Sequence, residues 1–183
     1  MGPWSRVKGL DRRGNRQRGR QGAIQRLEAE IERFDPQVIQ LNDITDPDLI
    51  SVAARARPCV MMVQDHRFFC PGRGKADLED QACAEPLGPG CMRCFAEAAH
   101  GEQMLQLTRK RLDALREVDR LLVLSHYMAG ELSAAGVEPH KITVLPPFVD
   151  RSWQAPPENS RAHHLMAGRL ASHKGVGVAL EAA

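Results

Sequence analysis

Apolar positions along this chain fall into two alternating rhythms. In "AIQRLEAEIERF", Ile24, Leu27, Ile31 and Phe34 recur at three- and four-residue spacing, which predicts an amphipathic helix. "DPQVIQL" follows, where Pro36 ends the helix and Val38, Ile39 and Leu41 form a short buried strand. "DPDLISVAARA" reads as a helix with Pro47 in its first turn and Asp46 as its cap. "CVMMVQ", bounded by Pro58, is the next strand. A non-periodic stretch from Asp65 to Cys94 holds much of the Gly and Pro, and a long helix fills Phe95 to Glu117 with Arg and Lys on its outer face. "DRLLVLS" is a strand, and Ser125 is placed to cap the helix "HYMAGELSAA", which Gly136 terminates. "KITVLPPFVD" is another strand, ending at Pro146-Pro147, and "RSWQAPPENSRA" has the composition of a linker. A last strand at Leu165, Met166 and Ala167 leads through Gly168 into a turn and a final helix.

Helices alternating with short apolar strands imply parallel strands with crossover helices, an α/β, Rossmann-like, doubly wound sheet. Ligands of such sheets sit at the carboxyl ends of strands, where "QDHRFFCPG", Ser125 and "GRLASHKG" fall.

Composition changes this picture little. The chain has 183 residues, 43% hydrophobic and 26% charged, which fits a folded domain of ordinary size. The net charge of +2 conceals an asymmetry, because Arg6, Lys8, Arg12, Arg13, Arg16, Arg18 and Arg20 crowd the start against Asp11 alone. Residues 1–21 therefore read as a solvated basic tail, with peripheral membrane contact as the second reading. Nucleic-acid binding would need aromatics interleaved with these cations, and the segment offers Trp4 alone, so no nucleic acid is expected. No apolar run approaches the roughly 18 residues of a membrane span, and no signal-peptide core is present. A cytoplasmic location is the default, at the inner membrane face if the substrate is membrane-bound.

Three groups can carry chemistry. Arg169 and Lys174, flanked by Gly168 and Gly175, stand around a strand-to-helix turn, where cations and free N–H groups can hold a diphosphate. The alternative is two solvated surface cations. Cys70, Cys83, Cys91 and Cys94 are spaced C-x12-C-x7-C-x2-C. Four thiolates can wrap a structural zinc and organise a long irregular loop, or they are four reduced, unliganded thiols. Disulfides do not suit a reducing cytoplasm. Asp65 and His66 emerge at a strand end, where a carboxylate or imidazole meets a substrate hydroxyl or, equally, caps a loop. Phe68 and Phe69 anchor that loop, Cys59 is packing, and His163 and His164 are ordinary.

In this order the pieces resemble glycosyltransferase family 4, the retaining GT-B enzymes. "FDPQVIQLND" is similar to the family's P-D-v-i-h-l-h strand. "VMMVQDHRFFCPGRGK" and the cysteines after it resemble a branch with an H-D-x-x-x-x-C-P segment. "VLSHYMAGELSAAGVEPHKITVLPPFVD" resembles the stretch before the interdomain linker, and "LMAGRLASHKGVGVALEAA" the opening v-G-R-l-x-x-x-K-G of the second domain. The resemblance implies residues 22–150 as a partial acceptor-side domain with a Cys-rich insertion at 65–94, 151–162 as linker, and 163–183 as the start of the nucleotide-sugar domain.

It further implies a hexosyl-type transfer, with retention, from a nucleotide-diphosphate sugar to a saccharide or lipid-linked acceptor, as in polysaccharide or lipopolysaccharide synthesis. Arg169 and Lys174 would grip the diphosphate in place of a catalytic metal, so no cofactor is expected for chemistry. Asp65, with Gln64 and Ser125, would lie by the acceptor and sugar. Two departures stand out: the family's His of H-D is Gln64 here, with His66 two residues on, and Pro146-Pro147-Phe148 lacks the family's Gly. The family's E-x7-E segment is absent from these residues, so the chain alone is expected to be inactive. A non-catalytic, zinc-bearing interaction module derived from such a domain is the alternative function.

Overall fold

The computed structural model describes residues 12–79, 81–148, 165–168, 170 and 175–183, with the backbone alone at 12–18. Its elements in chain order are α1 (Arg12–Phe34), β1 (Ile39–Asn42), α2 (Pro47–Ala56), β2 (Cys59–Val63), α3 (Ala98–Glu117), β3 (Arg120–Val123), α4 (His126–Ala134), β4 (Ile142–Val144) and α5 (Val176–Glu181). Short 3-10 turns occupy His66–Phe68, Pro89–Cys94 and Pro139–Lys141.

The four strands form one parallel sheet in the order β1-β2-β3-β4, so the α/β class with a parallel sheet is as expected. Register aligns the strand ends: Asn42 lies opposite Met62, Val63 opposite Val123, and Val123 opposite Val144. Each parallel neighbour needs a crossover, which α2, α3 and α4 supply. The right-handed rule puts them on one side of a sheet whose strand order follows the chain. Burial agrees with that placement. Leu41, Cys59, Met61, Val63, Leu121 and Val123 are buried, whereas the residues between them, Gln40, Val60, Met62 and Leu122, are half-buried or exposed. The core on the covered face is closed by Ile50 and Ala53 of α2, Leu112 and Leu115 of α3, and Leu132 of α4.

Helix boundaries follow local chemistry. The Asp46 carboxylate accepts from the Asp48 N–H at 3.0 Å with Pro47 in the first turn, as the sequence indicates. The Ser125 hydroxyl accepts from the Met128 N–H at 3.3 Å at the start of α4. Gly136, at φ 89°, takes the left-handed conformation that ends this helix cheaply.

Three expectations need correction. Residues 12–21, read as part of a solvated basic tail, are helical in α1. Arg and Gln are good helix formers without any apolar stripe, and Arg20 reaches across to Asp46 and Asp48 at 3.1 and 2.9 Å. Residues 1–11 lie outside the described residues. The long helix begins at Ala98 rather than Phe95, and its basic residues are not all outward: Arg111 is 8% exposed. Residues 165–167 form no strand, because no described strand pairs with them, and Leu165 is 93% exposed. The 151–162 linker and His163 and His164 lie outside the described residues.

Candidate functional site

Polar side chains collect where β1 and β2 end. β1 runs out at Asn42, and Asp43 turns the chain in the left-handed region, φ 51°, its N–H held by the Met62 carbonyl at 3.0 Å. β2 runs out at Val63 into Gln64, whose amide donates to the Asn42 side-chain oxygen at 3.1 Å and ties the two strand ends together. Next, Asp65 caps the His66–Phe68 turn by accepting from the Arg67 N–H at 2.8 Å. The same carboxylate accepts from Arg67 Nε at 2.7 Å and lies 3.6 Å from His66 Nδ1. Phe68 and Phe69 are buried and fasten this turn to the core, as expected.

Charges around Asp65 decide its state. Partial burial pushes its carboxyl up, but the hydrogen bonds from Arg67, with the electrostatic influence of His66 and Arg67, outweigh burial and leave it below the ordinary carboxylate range. It is therefore an anion at neutral pH, suited to accepting hydroxyl hydrogen bonds and unsuited to donating a proton. Arg67 also lies 3.7 Å from Asp43. Beneath it, Arg111 of α3 donates to the Thr45 carbonyl at 2.8 Å, while its second guanidinium nitrogen, Asp43 Oδ1 and the Thr108 hydroxyl are buried without a described partner. Burial, then the neighbouring Arg67, lower the Arg111 pKa.

The sequence singled out Gln64, Asp65 and His66, and the structure brings these three together. Asn42, Asp43, Arg67 and Arg111 were missed. "QLND" directly after an apolar strand was the available signal for the first two, since strand-end polar residues in α/β sheets face the ligand edge. Arg111 gave none, because its periodicity is that of the surface cations beside it. Ser125 stands at the end of β3, with its oxygen engaged as the α4 cap.

Arg169 and Lys174 lie outside the described residues. Of their flanking glycines, Gly168 is exposed, and Gly175 precedes α5 at φ 71°, a conformation that disfavours a side chain. The exposed Phe148 ends the described Pro-Pro segment.

Cys70, Cys83, Cys91 and Cys94 line a single cavity of about 280 Å³ beside this site. None of them forms a disulfide, nor does Cys59, which is fully buried in β2 with its thiol pushed up to about 11 by burial and then by Asp119. Among the described residues, no group of three or more His, Cys, Asp or Glu side chains is already arranged to hold a metal ion. Among the described residues, too, no helix is long and apolar enough to cross a membrane.

Against known proteins, the model described as Glycosyltransferase Family 4 matches residues 5–153. No curated protein and no solved structure matches the chain.

Proposed function

Because the chain belongs to glycosyltransferase family 4, we propose that it takes part in moving a hexosyl group, with retention, from a nucleotide-diphosphate sugar to a saccharide or lipid-linked acceptor. The observation that carries this reading is the cluster at the carboxyl ends of β1 and β2. Gln64, Asp65, His66 and Arg67 stand beside Asn42 and Asp43 on the edge where parallel sheets receive ligands.

The division of labour follows from the charges. Asp65, held ionised, accepts a hydrogen bond from a sugar or acceptor hydroxyl and orients it. The paired amides of Gln64 and Asn42 offer a donor and an acceptor to further hydroxyls. Gln64 cannot act as a general base, so a base role at this point is assigned to the neighbouring Asp65 and His66. Arg67, bridging Asp65 and Asp43, fixes the carboxylate in one orientation. Arg169 and Lys174 are assigned to the donor diphosphate by resemblance to the family motif, and there they stabilise charge on the departing nucleotide.

The test uses protein expressed from the whole reading frame, incubated with a panel of nucleotide sugars and saccharide acceptors. Asp65→Asn is expected to lower kcat/KM by about 10²-fold, and Arg169→Ala or Lys174→Ala to abolish saturable donor binding. If all three variants transfer sugar as well as the wild type, these assignments are wrong.

A further inference from the structure

The loop between β2 and α3 has little regular secondary structure. Between Cys70 and Cys94 the described backbone offers one 3-10 turn and one isolated bridge, Ala76 to Ala82. Yet four cysteines scattered over that loop return to one cavity. Short irregular loops that cannot bury a core of their own are commonly organised by a bound metal.

Two local features are aimed at the sulfurs themselves. The chain from Cys70 to Lys75 curls through two left-handed residues, Gly74 at φ 79° and Lys75 at φ 64°. That curl returns the Lys75 N–H to Cys70 Sγ at 3.3 Å. An N–H directed at sulfur stabilises a thiolate and is the kind of outer contact that orients metal ligands. Lys75 itself is clamped, its ammonium on the Glu85 carbonyl at 2.8 Å and on Glu131 at 3.3 Å, so the curl is a fixed structure. At Gly72 an added Cβ would stand 3.0 Å from Cys94 Cβ and 3.2 Å from its Sγ, so glycine here lets the Cys70–Lys75 curl pack closely against Cys94.

The cavity is larger than one ion needs. Among the described residues the thiols are not already grouped as metal ligands, so a tetrahedral site requires them to turn toward a common point.

We propose that Cys70, Cys83, Cys91 and Cys94 form a structural tetrathiolate site for a single Zn²⁺, which fixes the loop beside Asp65 and takes no part in chemistry. The proposal stands apart from the transfer reaction and is tested without it. Full chain purified from zinc-supplemented cells is analysed for metal, then stripped and titrated with Co²⁺ alone. The expected result is about one zinc per chain and, on cobalt addition, thiolate charge-transfer bands with the intense visible bands of tetrahedral cobalt. Cys91→Ser and Cys94→Ser are expected to weaken cobalt affinity by at least about 10-fold, while Cys59→Ala leaves it unchanged. Wild-type protein that carries less than about a tenth of one zinc and gives no charge-transfer band overturns the proposal. So does recovery of the four cysteines as disulfides. The wild-type cobalt spectrum decides the matter even if the variants do not fold.

Discussion

Asp65 caps a loop, and the same side chain is the carboxylate proposed to meet a substrate hydroxyl. Its two contacts with Arg67 are what hold the His66–Phe68 turn, and they also keep its carboxyl below the usual range. The sign of the consequence is fixed. A carboxyl with a depressed folded-state pKa adds stability above its unfolded value of about 3.9, and that stability is lost as pH falls through the folded value. Asp65→Asn keeps a capping oxygen but removes the charge. Its stability deficit is expected near neutrality and should shrink below about pH 4, as measured by urea unfolding over a pH series. A deficit that stays constant across that range would contradict the assigned cause. Cys59 is the opposite case, since its thiol, pushed up to about 11, is neutral and enclosed at pH 7. Iodoacetamide is expected to modify it far more slowly than the four loop cysteines of metal-stripped protein, as mass spectrometry would record.

At the scale of elements, caps account for most of what was legible in the sequence. Asp46-Pro47 and Ser125 announced α2 and α4, and their side chains do accept the N–H bonds those positions need. Ser125→Ala is therefore expected to cost about 1 kcal/mol, read as a lowered urea midpoint with an unchanged m-value. The α1 start was not legible, because a helix without an apolar stripe leaves no periodic signal. Arg20 attaches it through partly exposed ion pairs, so Arg20→Ala should cost less than about 1 kcal/mol. Arg111 was misread for a related reason. In the run from Arg109 to Arg111, three consecutive basic residues must point in different directions around a helix, and the third turns inward to the Thr45 carbonyl. Gln64, Asp65 and His66 were legible because they follow an apolar strand directly. The same signal marked Asn42 and Asp43 but was passed over, and the pairing of Arg67 with Asp43 was not legible, since only the parallel register of β1 and β2 brings the two strand ends together.

For the whole molecule, the sheet is the organising object, and its two faces differ. Leu121 and Leu122 are adjacent on β3, yet the first is fully buried under the helices and the second only half-buried on the other face. Leu121→Ala is expected to destabilise by about 3 kcal/mol and Leu122→Ala by about 1 kcal/mol or less; equal costs would contradict the one-sided cover described above. Such sheets direct their ligands to the strand ends, and there the family membership and the polar cluster meet. This edge is read as the place where sugar transfer is supported, as proposed above. The most direct test of that reading is NMR of the product formed by protein from the whole reading frame with an α-linked nucleotide sugar and a saccharide acceptor. A new glycosidic bond of α configuration, formed at a rate that falls about 10²-fold in Asp65→Asn, is the predicted result. A β-linked product, or transfer indifferent to Asp65, would contradict it.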